Sequence, residues 1–293
     1  LLKHTYLGFL TRGSSGEDRP DSGPTLMRRI VGKSQIAFDS PLYHRGEAQF
    51  RDNLAALLER YRDSGIPVFI GTLASNEKDL VPFASVLAQE TDVAAWRRSF
   101  KTGVDALLGG DTDLAGTSLE AALALDNSAA SAHFALGRLF ESQGEYSAAR
   151  DAYHEARDRD QLRVRAPRSF NRVIREVAAE QGAQVVEVEA SLLDHATHGI
   201  IGNELMLEHV HPNLDGYFLL ADAYYRALLD AGIPGSAVQA DSREQAWSEL
   251  PVTAVDLKKA DYELMRETAD GTFRSDGRRP PDPDRKGELD RLP

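Results

Sequence analysis

The feature that most limits how this chain can fold is a self-similarity with a period of 34 residues. It lies between residues 92 and 160, where the sequence is rich in Ala and Leu and has no run typical of a strand. The aligned pairs are Gly103 with Gly137, Ala115 with Ala149, Leu119 with Tyr153 and Ala122 with Ala156. Small residues in matching positions allow two antiparallel helices to pack closely. The pattern predicts two helical hairpins over residues 96–163, although an ordinary hairpin could match it by chance.

The segments on either side of the repeat follow a different pattern, in which an amphipathic helix comes before a short apolar strand. The first strand spans residues 68–73. The second unit has a helix over 169–181 that Gly182 ends, and a strand over 185–188. A further amphipathic helix spans 214–229. Short apolar strands that follow helices are typical of parallel sheets covered on both faces, so we expect a doubly wound α/β fold.

The charge and the composition exclude several classes of function. The chain has 293 residues, with 46 acidic against 34 basic side chains and a formal net charge of −12. Such an acidic chain repels phosphate backbones, so we expect no nucleic-acid partner. Cysteine is absent, which excludes disulfides, thiolate nucleophiles and cysteine-bound zinc. No apolar run approaches the roughly 18 residues that a membrane span requires. We expect no metal and no other cofactor.

The most distinctive polar segment is residues 207–216, where Glu208 stands three positions before His211 and Pro212 precedes an amphipathic helix. A turn before a helix allows the carboxylate to fold back onto the imidazole of His211. That contact would hold one tautomer and leave the other ring nitrogen to act as a general base. Two alternatives remain open. Glu208, His209 and His211 could bind a metal ion, or the segment could be a polar loop without chemistry.

Other candidate site residues follow the first strand or close the repeat. Ser75 and Asn76 come directly after the strand over 68–73, and such positions line the ligand crevice of open α/β sheets. Both residue types also favour turns. Arg163 and Arg165 lie in a charged run at the end of the repeat. They would bind an anionic group of a substrate, or else form ion pairs on a solvated face.

Together these motifs resemble a known family. The block Glu208-x-x-His211-Pro212 before a helix is similar to the last block of SGNH/GDSL-type hydrolases, in which the carboxylate is usually Asp. The segment PVFIGTLASNEKDLVPF and the repeats resemble, more narrowly, bacterial SGNH hydrolase-like proteins with a tetratricopeptide insertion. The resemblance covers about residues 25–233. It implies a flavodoxin-like α/β/α sandwich and ester hydrolysis, with His211 as the general base and Glu208 as its orienting acid.

The sequence departs from that family in one large respect. The family's nucleophile block, Gly-Asp-Ser or Gly-Gly-Ser, and its Gly-x-Asn block are not found. We therefore expect the chain to be the C-terminal part of a longer enzyme, with little activity alone. The implied substrate is a small ester or an acylated glycan. The compartment stays open, since a missing upstream segment could place the protein outside the cytoplasm or at a membrane.

The expected organisation has four parts. A first SGNH-like segment spans residues 1–95, the tetratricopeptide insertion spans 96–163, and a second SGNH-like segment spans 164–233. Residues 234–293 would hold one more helix near 255–267 and a disordered end rich in Pro, Gly and Asp. The alternative function is that of a non-catalytic tetratricopeptide scaffold, whose repeats bind a protein partner.

Overall fold

Helices dominate the part of the chain that the structure describes. The computed structural model describes residues 35–233 and 242–253, together with 255, 256, 258 and 259. The elements, in chain order, are α1 (Pro41–Asp63), β1 (Phe69–Gly71), α2 (Val93–Gly109), α3 (Thr112–Leu125), α4 (Ala130–Ser142), α5 (Tyr146–Arg159), α6 (Arg168–Gln181), β2 (Gln184–Val186), α7 (Val188–His195), a 3₁₀ turn (Thr197–Gly199), α8 (Leu214–Asp230) and α9 (Arg243–Ser248). The predicted disordered end and most of the predicted helix near 255–267 lie outside the described residues, as do residues 1–34 of the first expected segment.

The two strands form a parallel pair with helices on both faces. Phe69 lies opposite Gln184, and Gly71 lies opposite Val186. Ile70 packs against buried apolar side chains of α1 and α6. Phe69 points to the other side, where it packs against side chains of α7 and α8. This arrangement fits an α/β or mixed class, because a parallel pair needs a crossover connection and helical cover on its faces.

The repeat region forms two helical hairpins in the crossover between the strands. α2 packs on α3, and α4 packs on α5. The glycines of the repeat lie at these contacts. A Cβ atom on Gly103 would come within 2.7 Å of the side chain of Leu119, and one on Gly137 would come within 2.6 Å of the ring of Tyr153. Glycine is therefore required at both positions by the close approach of the facing side chain.

Both strands are shorter than the sequence pattern predicts, because neighbouring residues are held by other contacts. β1 ends before Leu73, whose amide and carbonyl bond to the side chain of Asn171 at 2.7 and 2.8 Å. β2 ends at Val186, since Glu187 is already the residue that flanks α7. The short helices α7 and α9 are not predicted by the sequence pattern, which is too brief in both places to establish a helical period.

Candidate functional site

The Glu208 segment is a tight loop closed by two backbone hydrogen bonds. The amide of Leu207 donates to the carbonyl of His211 at 2.8 Å, and the amide of Asn213 donates to the carbonyl of Leu205 at 3.0 Å. These bonds run between antiparallel arms and turn the chain back on itself. Glu208 and His211 are consequently brought together at the tip of the loop.

The carboxylate of Glu208 contacts both histidines of this loop. Its Oε1 accepts the backbone N–H of His211 at 2.8 Å and also bonds to Nδ1 of that residue. Its Oε2 accepts the backbone N–H of His209 at 2.7 Å and also contacts Nδ1 of that residue. A carboxylate only accepts hydrogen bonds, so its bond with His211 uses the Nδ1–H group of that imidazole.

The two imidazoles differ in exposure. The side chain of His211 is 61% exposed, and its Nε2 has no hydrogen-bond partner among the described residues. His209 is buried, and its ring packs edge-on against Phe83 with the ring centroids 6.2 Å apart. Burial, with smaller contributions from the charges of His211 and Arg165, lowers the pKa of His209 to about 4. His209 is therefore neutral near pH 7, and His211 is the histidine that faces solvent.

Asn213 anchors the loop to the start of α8. Its Oδ1 accepts the amide of Gly216 at 3.0 Å, which caps the helix. Its Nδ2 donates to the carbonyls of Asn203 and Glu204 at 3.2 and 2.9 Å. Gly216 packs so closely on the loop that a Cβ atom there would overlap the carbonyl oxygen of Leu205. The loop and the helix therefore form one rigid corner.

The segment after β1 meets the Glu208 loop through Asn76. The amide of Asn76 donates to the carbonyl of His209 at 3.0 Å. Its side chain, which is buried, donates to Oδ1 of Asn203 at 2.8 Å and accepts the amide of Asp79 at 3.0 Å. The structure thus brings Asn76 to the Glu208 loop. Its amide group, however, is bonded within the protein and supports the loop.

Ser75 lies beside Asn76 but is enclosed. Its side chain is buried, and its Oγ has no hydrogen-bond partner among the described residues. A nucleophile must be within reach of both the base and the substrate. The structure does not present this hydroxyl at the surface where His211 lies.

The two arginines that close the repeat are bonded to other parts of the chain. Arg165 is 3% exposed, donates to the carbonyl of Asn76 at 2.8 Å and pairs with Asp160 at 3.4 Å. Arg163 donates twice to the carbonyl of Ile36, at 2.9 and 3.1 Å. This arrangement differs from both interpretations of the sequence, because neither guanidinium is directed at a substrate surface and neither lies on a solvated face.

A buried charged cluster that no local pattern indicates joins the segment after β1 to α5. Oε1 of Glu77 lies 2.8 Å from Nε2 of His154 and 3.0 Å from Nη1 of Arg157. Burial alone raises the pKa of Glu77, but the hydrogen bond to His154 and the charges of Arg157 and Arg165 hold it below its usual value. The partners are about 80 residues apart in the chain, so only the fold could reveal the cluster.

The described ranges hold neither a metal cluster nor a membrane-spanning helix. No group of three or more His, Asp or Glu side chains in them is arranged to bind a metal ion. The metal interpretation of Glu208, His209 and His211 therefore has no support from their geometry. None of the described helices combines the length and the apolar character that a membrane crossing needs.

Three geometric features define the Glu208 loop. Its features are a carboxylate bonded at Nδ1 of an exposed imidazole, a second and buried imidazole on the same carboxylate, and a rigid attachment to α8. Comparisons with models of protein families, with curated protein sequences and with solved structures found no match to this chain.

Proposed function

We propose that this chain supplies the general base of an SGNH/GDSL-type ester hydrolase, with His211 as the base and Glu208 as its orienting acid. The observation that carries the proposal is the pair itself. Glu208 is bonded to Nδ1 of His211, and the other ring nitrogen belongs to a side chain that is 61% exposed. A carboxylate at Nδ1 leaves the lone pair of Nε2 available to accept a proton.

The proposed reaction uses His211 twice. Nε2 removes the proton of a serine hydroxyl as its oxygen attacks the ester carbonyl, and then returns the proton to the departing alcohol. Glu208 stabilises the imidazolium that exists between the two transfers. Among the described residues no serine hydroxyl bonds to His211, and Ser75 is enclosed. We therefore propose that the nucleophile and the oxyanion donors belong to residues that the structure does not describe.

The fold supports the same family at a coarser level. A flavodoxin-like sandwich places a parallel sheet between two helical layers, and β1 and β2 have helices on both faces. In a parallel sheet, alternate residues of a strand bond to the neighbouring strands on its two sides. Residues 68 and 72 bond to β2 on one side. We therefore propose that further strands of the sandwich lie along the opposite edge of β1. The two hairpins with a 34-residue period are what a tetratricopeptide insertion would contribute.

The test is hydrolysis of a chromogenic acetyl ester, chosen because the proposed substrates are small acyl or acetyl esters, free or on a glycan. The natural full-length protein is compared with its variants. We expect His211→Ala to lower turnover by about 10⁴-fold. We expect Glu208→Gln to lower it less, since the base remains present but is oriented less well. His195→Ala is the matched control, because His195 is an exposed histidine on α7 whose Nδ1 contacts the backbone carbonyl of Ser191.

Two results would contradict the proposal in different ways. Turnover that survives His211→Ala would remove the hydrolase assignment. Robust turnover by residues 1–293 alone that is lost in Ser75→Ala would identify Ser75 as the nucleophile, against the expectation that it lies elsewhere.

A non-catalytic scaffold is the second candidate. The internal bonding of Arg163 and Arg165 favours it, because neither arginine is left to bind an anionic substrate group. The ester assay separates the two candidates, since a scaffold shows no turnover that depends on His211.

A further inference from the structure

We propose that His209 is a positioning residue, whose imidazole holds one oxygen of Glu208 so that the other oxygen faces His211. The inference rests on the proposed function of the Glu208–His211 pair. From its position in the sequence, His209 is a candidate only for metal binding, and the geometry of the described residues gives that interpretation no support.

Both oxygens of the Glu208 carboxylate are engaged within the loop. Oε1 accepts the backbone N–H of His211 and bonds to its Nδ1, whereas Oε2 accepts the backbone N–H of His209 and contacts its Nδ1. The terminal torsion of a glutamate side chain is soft, so a carboxylate with fewer donors rotates readily. Three hydrogen bonds and the contact with Nδ1 of His209 hold Glu208 in the orientation that directs Oε1 at His211.

His209 is itself held in place by the surrounding protein. Its side chain is 7% exposed, and its ring packs edge-on against Phe83. Its carbonyl accepts the amide of Asn76, which ties it to the segment after β1. The ring therefore reaches Glu208 from the protein interior, whereas the ring of His211 reaches it from the solvent side.

His209 acts on Glu208 as a neutral ring. The charged and titratable groups that act on it are His211, Glu208 and Arg165. With the pKa of His209 lowered to about 4, mainly by burial, its ring is neutral near pH 7 and carries one N–H. The proposal places that proton on Nδ1, the nitrogen that contacts Oε2 of Glu208. The negative charge of Glu208 is thus left to stabilise an imidazolium at His211.

The experiment measures the tautomer of His211 by long-range ¹H–¹⁵N NMR on the full chain. Spectra are recorded at about pH 8, above the ordinary titration range of histidine. In the wild type we expect the Nδ1–H form of His211, because Glu208 binds at Nδ1. His209→Asn places an amide N–H close to the position of Nδ1, whereas His209→Gln places it near Nε2. His209→Phe keeps a ring but has no donor.

We expect His209→Asn to keep the Nδ1–H form of His211, and both His209→Gln and His209→Phe to shift it towards the Nε2–H form that an unrestrained histidine favours. Unchanged backbone amide signals of α8 serve as the folding control. The same His211 tautomer in the Asn and Gln variants would overturn the positioning role, even if the Phe variant failed to fold. Ester turnover that survives His211→Ala would instead contradict the proposed function and leave the tautomer result intact.

Discussion

The carboxylate of Glu77 and the guanidinium of Arg157 form an ion pair inside the protein, with Oε1 and Nη1 3.0 Å apart. The two side chains are 1% and 2% exposed. Glu77 belongs to the segment after β1 and Arg157 to α5, so the pair ties the helical hairpins to the α/β part. Because both charges are removed from water, either one is costly to keep without the other.

Glu77→Gln should therefore destabilise the protein strongly. We expect a loss of about 3 kcal/mol in the free energy of unfolding, because the buried charge of Arg157 would keep only the more distant carboxylates of Asp158 and Glu189, at 3.8 and 3.9 Å. The matched control is Asp105→Asn, which breaks the exposed pair with Lys101 and should cost no more than about 0.5 kcal/mol. Urea unfolding measures both variants, and equal losses would contradict the assigned role of the buried pair.

Gly137→Ala should destabilise the second hairpin by overpacking. The added Cβ atom would meet the ring of Tyr153 at 2.6 Å, so the two helices must move apart at a cost of about 1–3 kcal/mol. Gly116→Ala is the control, since its Cβ atom would make only an ordinary 3.5 Å contact with Leu139. That substitution should stabilise the protein by up to about 1 kcal/mol through helix propensity. Melting temperatures that change in the same direction would argue against the close packing at Gly137.

Asn213→Ala should loosen the corner between the Glu208 loop and α8. The variant loses the cap on the amide of Gly216 and the two bonds to the carbonyls of Asn203 and Glu204. We expect a loss of about 1–2 kcal/mol in thermal unfolding experiments. Asn213→Asp keeps the capping oxygen but not the donors, and should cost less. An Asp variant as unstable as the Ala variant would show that the cap contributes little.

His209 should make the stability of the protein depend on pH in a defined window. Its pKa is about 4 in the folded chain, below the ordinary value of 6.5, so the unfolded chain binds a proton that the folded chain does not. Stability is then complete above about pH 6.5 and falls as the pH drops towards 4, by roughly 3 kcal/mol over the whole interval. Urea unfolding between about pH 5 and 7 checks the slope, above the range in which carboxylates titrate. His209→Phe should flatten it, and an unchanged slope would exclude His209 as its source.

Much of the secondary structure follows from local patterns. The helix predicted over 169–181 is α6, Arg168–Gln181, and it ends at Gly182, whose φ of 71° is favourable only for glycine. The helix predicted over 214–229 is α8, Leu214–Asp230. Periodicity and stop residues act over a few positions, so they can be interpreted without knowledge of the fold.

The features that the sequence by itself determined are therefore local. They are the paired small residues of the hairpins, the glycine that ends α6, and the approach of Glu208 to His211. Glu208 and His211 are only three residues apart and lie in one turn. Only the tertiary structure decided which polar groups are buried. Arg165 bonds to the carbonyl of Asn76 across 89 positions of the chain, and Glu77 bonds to Arg157 across 80. Such partners have no common sequence pattern, because burial and ion pairing depend on which elements the core brings together and not on the residues beside them.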